Sequence, residues 1–464
     1  MAADLDVALA YAEQHLPDTI ESLKILTRIP SVSANPPPDP ELRRSAEAVA
    51  DWMRQVGLEN VAVLEIEGVH PYVYGDWLHA PGAPTAVLYA HHDVQPPGRA
   101  EYWRSPPFEP TEREGRLYGR GTADDKAGIA VQLAAIQGYL ENGGLPINVR
   151  VVIDGEEEAG SEHLVDFLAE YRDQLDADVI VITDTANYAA GVPTITYALR
   201  GLVVVDVEVS GVDRPLHSGM WGGPAPDAAL AMAKVLGKLV DDEGKIAIPG
   251  LYDSVRPLPE VERERVAALP FDPEKFRTEV GLLEGVGLAG EQDYGPLERM
   301  WYRPALTISA LEAAPLKGAS NQILGSSRAR IGIRIVPDMD AATVAQQLRD
   351  YLEKDPPWNV QVKTTTYVTA GWWMTSPEGA AFEAIARALE QGFDRPCAYI
   401  CCGGSIPFVE PFCQALGGVP ALLVGVEDPM CNAHSENESL LLSDFTKAIR
   451  SAVYLYGELA RSRP

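Results

Sequence analysis

Thr85-Ala-Val-Leu-Tyr-Ala-His91-His92-Asp93-Val-Gln-Pro-Pro97 is an apolar run that stops at two imidazoles and a carboxylate, then enters a proline-rich loop. The run is long enough for a buried strand, and in open α/β sheets ligands gather outside the carboxyl ends of the strands. Three more apolar runs end in kind: at Asp154-Gly-Glu156-Glu157-Glu158, at Asp184, and upstream of His434. The expectation is that these ends converge on one metal site.

Outward from that stretch, residues 4–56 read mostly as helix, with Gly57 as a stop. Strands are expected near 60–66, 71–77 and 85–90, followed by a long loop from which Pro96, Pro97, Pro106, Pro107 and Pro110 exclude regular structure. A helix from about Gly128 to Leu140, a strand at 147–153, a helix at 162–173 and a strand at 178–183 give a βαβ alternation. That pattern predicts a largely parallel sheet covered on both faces.

After about Thr194 the style changes. Strand 201–210, helix 225–240, strands 304–311 and 327–336, helix 341–353 and strand 358–366 follow the split-βαβ order of ferredoxin-like domains. A proline-bearing segment at about 243–300, read as short helical pieces, interrupts it. Helix 376–391, strand 419–425 and helix 441–459 resume the first style. The fold class expected is α/β, a mostly parallel-sheet domain formed by 1–194 and 376–464 with an α+β domain inserted at 195–375.

At 464 residues the chain has room for two or three domains. Its net charge of −29 argues against nucleic acid or an anionic membrane surface as partner, and reads more simply as a solvated acidic surface. The five cysteines, all between Cys397 and Cys431, read as reduced thiols rather than a secreted disulfide framework. The N-terminus shows no basic region followed by a long apolar one, and no run has the length of a membrane span. A cytoplasmic location is expected.

The candidate residues differ in how much each says alone. His91 suits a metal ligand steadied by a nearby carboxylate, Asp93, while strand alternation turns His92 to the other face. Taken alone, His91 reads equally as a loop histidine capping a turn. Asp124 reads as an ordinary helix N-cap or as a carboxylate whose two oxygens bridge two cations. Three carboxylates crowded behind an apolar strand at 156–158 are costly unless a cation compensates. One of those glutamates could bind metal while its neighbour serves as general base. Asp184, His434 and His217 are weak signals individually. Arg334, in mid-strand, is either a structural ion pair or a carboxylate clamp. Gly403-Gly404-Ser405 is a turn or a set of backbone donors. Nitrogen and oxygen ligands without cysteine suit zinc, with manganese or cobalt as alternatives.

In combination these motifs resemble the di-zinc metallopeptidases of the aminoacylase and carnosinase superfamily. The match runs from about residue 85 to 440 in family order: His-x-Asp-Val, Gly-Arg-Gly-x-x-Asp, Glu-Glu-x-Gly-Ser and Ala-His-Ser. Asp93-Val-Gln-Pro and Thr122-Ala-Asp-Asp-Lys are most similar to the cytosolic carnosinase-like dipeptidase branch. The resemblance implies His91 and Asp184 at one zinc, Glu158 and His434 at the other, and Asp124 bridging both. It makes Glu157 the general base and Asp93 the support of His91. His217 is implied to polarise the scissile carbonyl from the partner subunit of a homodimer. Arg334, Asn321, Gly404 and Ser405 are implied to hold the substrate's carboxylate. Asn321-Gln-Ile-Leu departs from the family's usual Asn/Thr-Val-Ile-Pro, which weakens the assignment of Asn321. The inserted domain is implied to be a lid and dimerisation domain.

The activity expected is metal-dependent hydrolysis of dipeptides or short peptides with a free C-terminal carboxylate, without nucleic acid or membrane partners. An N-acyl-amino-acid deacylase of the acetylornithine deacetylase and desuccinylase kind is the alternative. A non-catalytic metal-dependent binding protein is the second.

Overall fold

The computed structural model describes residues 4–161, 163–404, 406 and 408–462. Two compact units emerge, one of Met1–Tyr197, Thr375–Ile400 and Phe408–Pro464, the other of Ala198–Met374 with Cys401–Pro407.

The first unit is built on a mixed sheet. Seven of its nine strands lie in the order Glu59–Leu64, Tyr72–Trp77, Asn148–Asp154, Thr85–His91, Val179–Ile182, Ala421–Leu423, Thr194–Leu199, and Ala398–Cys402 pairs with the last. The central four run parallel and the flanking pairs are antiparallel. Buried on both faces, the central strands are near-continuous runs of valine, isoleucine and leucine, as parallel strands require. The register brings the carboxyl ends level. His91 pairs with Asp154 on one side, Tyr89 with Ile182 on the other, and Ile182 with Leu423. Chemistry-bearing residues two to four positions beyond these pairs therefore emerge from one edge of the sheet.

The helix Lys126–Leu140 is apolar all round and almost wholly buried, which suits a helix enclosed by the sheet and by other helices. Its first residue, Lys126, is buried too, and its ammonium donates to the carbonyls of Leu26 (3.0 Å) and Ile29 (2.9 Å). The Leu26 carbonyl lies in the last turn of the helix Leu16–Thr27 and that of Ile29 just beyond it, so the cation meets the negative end of the helix dipole. As expected, residues 4–56 are mostly helical, in three helices, Leu5–Gln14, Leu16–Thr27 and Pro40–Gln55. Asp39 starts the last, accepting from the Glu41 amide at 2.7 Å.

Several elements were not expected, among them strands Thr194–Leu199 and Ala398–Cys402, helix Val409–Ala415 and a small three-stranded sheet. Directly after the proline-rich loop, Thr111–Arg113 and Arg116–Tyr118 form a hairpin, and Ser439–Leu441 adds a third antiparallel strand. Glu114 and Gly115 turn it with φ of 52° and 77°, the paired positive values of a type I′ turn. A glutamate at the first turn position conceals a hairpin usually announced by Asn-Gly or Asp-Gly. The helix expected at 162–173 is shorter, Leu164–Glu170, with a 3-10 turn at Arg172–Gln174.

The second unit carries a four-stranded antiparallel sheet in the order Ala305–Glu312, Ser326–Ile335, Gly201–Ser210, Gln361–Ala370. With helices Ala228–Gly237 and Ala341–Glu353 packed against its strands, this is the ferredoxin-like order expected. Residues 243–300 hold three short helices, Glu260–Ala268, Pro273–Glu279 and Pro296–Trp301. No helix among the described residues is long and apolar enough to cross a membrane.

Candidate metal centre

At the level strand ends of the first unit the structure brings together His91, Asp93, Asp124, Glu157, Glu158, Asp184 and His434. Two sets of ligand atoms overlap there. His91, Glu157 and Asp184 form one, and Asp124, Glu158 and His434 the other. Asp124 links them through its two oxygens. Oδ1 lies 3.0 Å from His91 Nε2, and Oδ2 lies 3.0 Å from His434 Nε2. His91 Nε2 is also 3.6 Å from Asp184 and 4.0 Å from Glu157, while His434 Nε2 is 3.2 Å from Glu158.

Asp93 organises this arrangement from behind. It is fully buried, and its Oδ1 lies 3.3 Å from His91 Nδ1, opposite the nitrogen that faces the carboxylates. The same carboxylate accepts the amides of Glu157 (3.2 Å) and Glu158 (3.0 Å), so one side chain orients both the imidazole and the glutamate turn. His92 faces away, within hydrogen-bonding distance of Pro71 O at 2.9 Å, and its burial lowers its pKa to about 4. Glu156 also leaves the cluster, accepting from Tyr72 and from the His163 amide.

Two glycines admit the close approaches that this edge needs. A Cβ on Gly425 would lie 1.3 Å from Thr185 O, and one on Gly128 would lie 2.5 Å from Thr183 O. Both contacts fall beside Asp184, so backbone takes the space a side chain would claim.

The electrostatics ask for cations. Burial, and then the Asp184 carboxylate, push Glu157 well above the ordinary carboxylate range. Burial and Asp124 raise Glu158 to about 7. Asp184 is raised by burial as well, even though the His91 ring opposes the shift. Burial disfavours a charged His91, yet Asp184, Asp124 and Asp93 outweigh it and hold its pKa well above the usual value. Hydrogen bonds that the His434 ring donates to Asp124 and Glu158 raise its pKa to about 11. Carboxylates crowded this tightly must be neutralised, by protons on themselves and on the imidazoles or by metal ions. The donor set, two imidazoles and carboxylates with no thiol, fits divalent metal.

Sequence reasoning missed three contributors. Glu427, four residues past strand Ala421–Leu423, places a ligand atom within 4.8 Å of atoms from Asp124 and Asp184. Glu438 is buried and accepts the amides of Gly121 (3.0 Å), Ala123 (3.0 Å) and Asp124 (3.2 Å). Its partner Arg120, equally buried, reaches it at 2.6 Å and also donates to Pro96 O and Ser435 O. The Arg120–Glu438 pair thus ties the bridging-aspartate turn to the loop of His434. In that loop Asn432, His434 and Asn437 take φ of 56°, 61° and 63°, left-handed conformations that the ties to Glu438 help to hold. Neither glutamate stands out in the sequence: Glu438 follows Ala-His-Ser in a polar loop, and Glu427 sits in an acidic pair with Asp428.

The other candidates lie in the second unit. His217 is exposed, with its ring Nδ1 accepting from the Gly219 amide, and pairs with Gln322 in a two-residue ladder. Asn321 is beside it, its carbonyl accepting from Ser218 N (3.0 Å) and Oγ (2.9 Å), so residues a hundred positions apart share one hairpin-like corner. Arg334 is partly buried in mid-strand, and desolvation lowers its pKa while Cys402 opposes the shift. Arg200, also missed by sequence, lies near enough to Arg334 to feel its charge. Burial, then Arg334, lower it to about 10. Arg200 Nε donates to Gly403 O at 3.0 Å, and its own amide points to Cys402 O and Gly404 O. Ser405 lies outside the described residues.

Comparison with known proteins agrees with this geometry. The family model described as "Peptidase family M20/M25/M40" matches residues 87–457. A cysteinylglycine-S-conjugate dipeptidase from Corynebacterium striatum is 33% identical over 360 residues, covering 77% of each chain. A Cys-Gly metallodipeptidase from Schizosaccharomyces pombe is 28% identical over the whole of both chains. The crystal structure of human carnosine dipeptidase 1 superposes with a TM-score of 0.86 at 28% identity, covering 98% of this chain and 99% of that one.

Proposed function

The chain belongs to peptidase family M20/M25/M40, and from that premise we propose that it is a metal-dependent dipeptidase with a two-zinc centre. The observation that carries the reading is Asp124, whose two oxygens each face a different histidine at 3.0 Å. Three relatives named as dipeptidases support the substrate class.

In this reading His91 and Asp184 would hold one ion, Glu158 and His434 the other, with Asp124 shared between them. When bound, such ions lower the pKa of water to about 7 and polarise a carbonyl. Glu157 takes the proton from the attacking water and returns it to the leaving amine, a step worth about 10²- to 10⁴-fold. Asp93 fixes the His91 ring and the Glu157 backbone at once. Arg334, Asn321, Gly404 and Ser405 receive the substrate carboxylate, and Arg200 adds a second guanidinium beside Arg334.

The first unit is then catalytic and the second a lid that also pairs subunits in a homodimer, with His217 acting on the partner's substrate. Exposed Met220 and Trp221 beside His217 support this, as do exposed Ile308 and Leu311 on the outermost strand. An apolar sheet edge is a pairing surface. Mixing His217→Ala and Glu157→Ala subunits tests the sharing, since hybrids recover turnover only if the histidine works across the dimer. The cytosol is the compartment proposed, on account of the five free thiols.

The whole reading stands or falls on metal quantification coupled to a substrate panel. Zinc-, manganese- and cobalt-loaded protein should hydrolyse dipeptides faster than N-acetyl or N-succinyl amino acids. The opposite order would make it a deacylase, and no turnover at all a binding protein.

A further inference from the structure

Glu427 is a carboxylate that the two-ion scheme does not use. It enters the metal centre on a loop held by backbone: Ala186 and Glu427 form a parallel bridge, and the Asn187 amide donates to Glu427 O at 2.9 Å. Its ligand atom groups with those of Asp124 and Asp184 and not with that of His91. Its Oε2 has the Cys431 thiol at 3.8 Å as its hydrogen-bond partner among the described residues, a weak donor that leaves the carboxylate's acceptor capacity largely open.

Charge decides what such a group is for. Asp124, Glu157, Glu158 and Asp184 carry as many negative charges as two divalent ions carry positive ones, and Asp93 is matched by the His91 ring and two amides. Glu427 is a fifth carboxylate, beyond the four that two divalent ions would balance. A surplus carboxylate held against a charge-balanced centre attracts a monovalent cation with hydrogen-bond donors, and a dipeptide brings one in its α-ammonium group.

We propose that Glu427 is a specificity residue that receives the free amino terminus of the substrate beside Asp124 and Asp184, selecting dipeptides over N-acylated amino acids. The inference rests on the dipeptidase reading above and names the group that makes it a dipeptidase. An N-acyl substrate presents a neutral amide there and leaves the carboxylate unmatched, which is a strong ground for rejection.

The test uses the metal-loaded full chain and four substrates: Ala-Gly and Cys-Gly, each with a free amine and as its N-acetyl form. The unaltered protein comes first. If it does not prefer the free amines, the dipeptidase reading fails before Glu427 is touched. Glu427→Gln is expected to lower kcat/KM for the free dipeptides about 10- to 100-fold, chiefly through KM, with the N-acetyl forms unchanged or faster and the bound metal undiminished. Glu427→Asp, which keeps the charge on a shorter arm, should recover part of the preference and guards against a glutamine variant that folds poorly. Equal losses on free and acetylated substrates would overturn the proposal, and so would loss of bound metal, which would make Glu427 a ligand.

Discussion

The strand-end edge of the first unit and the arginine-bearing strands of the second both bury charge, with opposite sign and opposite kinds of support. At the first, carboxylates are steadied by backbone amides, as Asp93 and Glu438 each accept two or more. At the second, Arg200 is steadied by carbonyl oxygens, with Gly403 O at 3.0 Å. The acidic edge wants cations and the basic strands want an anion.

Breaking the acidic side should have the largest effect. Chelation is expected to abolish turnover and to leave a pH signature. Glu158 without metal titrates at about 7, above the ordinary 4.5, so the folded chain binds its proton more tightly than the unfolded chain does. Stability of the metal-free protein should therefore fall as pH rises from about 4.5 to about 7, whereas bound metal replaces the proton and removes that slope. Melting temperatures of both forms across this window decide it, and parallel curves would contradict the crowding argument. Next comes Glu157→Gln, expected to cut kcat by about 10²- to 10⁴-fold with metal content retained. Near-full turnover would displace Glu157 as base.

Removing support rather than chemistry should cost less in rate and show in stability. Glu438→Gln leaves Arg120 buried without its counter-ion and is expected to destabilise the fold by about 3 kcal/mol, measured by denaturant unfolding of the metal-free chain. On the basic side, Arg334→Met should raise KM about 10- to 100-fold with kcat little changed, and Arg334→Lys should recover part of it. A fall in kcat alone would sharpen the contrast differently, placing Arg334 in the transition state rather than in binding.

Much of this was legible in the sequence because the signals are local. Apolar runs ending in His91, Glu156-Glu157-Glu158 and Asp184 announce strands whose ends carry chemistry, and the β-α-β-β-α-β order of the insertion follows from periodicity alone. What could not be read is what depends on pairing across hundreds of residues. Glu438 looks like any loop acid until its three amide donors, more than three hundred positions earlier, are seen beside it. Glu427 is hidden the same way, since only the register of Ala421–Leu423 against Val179–Ile182 aims its loop at Asp124. Arg200 follows an apolar strand as abruptly as Asp184 does, but a lone cation there reads as an ordinary solvated residue until its carbonyl partners at Gly403 and Arg303 are seen beside it.

The small sheet that joins Thr111–Tyr118 to Ser439–Leu441 has a consequence for the order of events during synthesis. The turn bearing Asp124 emerges early, but its caps from Glu438 and the facing His434 come with the last tenth of the chain. Loop closure over so long a span is a late step in folding. The ligand set around Asp124 is therefore complete only once the strand Ser439–Leu441 has docked on Arg116–Tyr118.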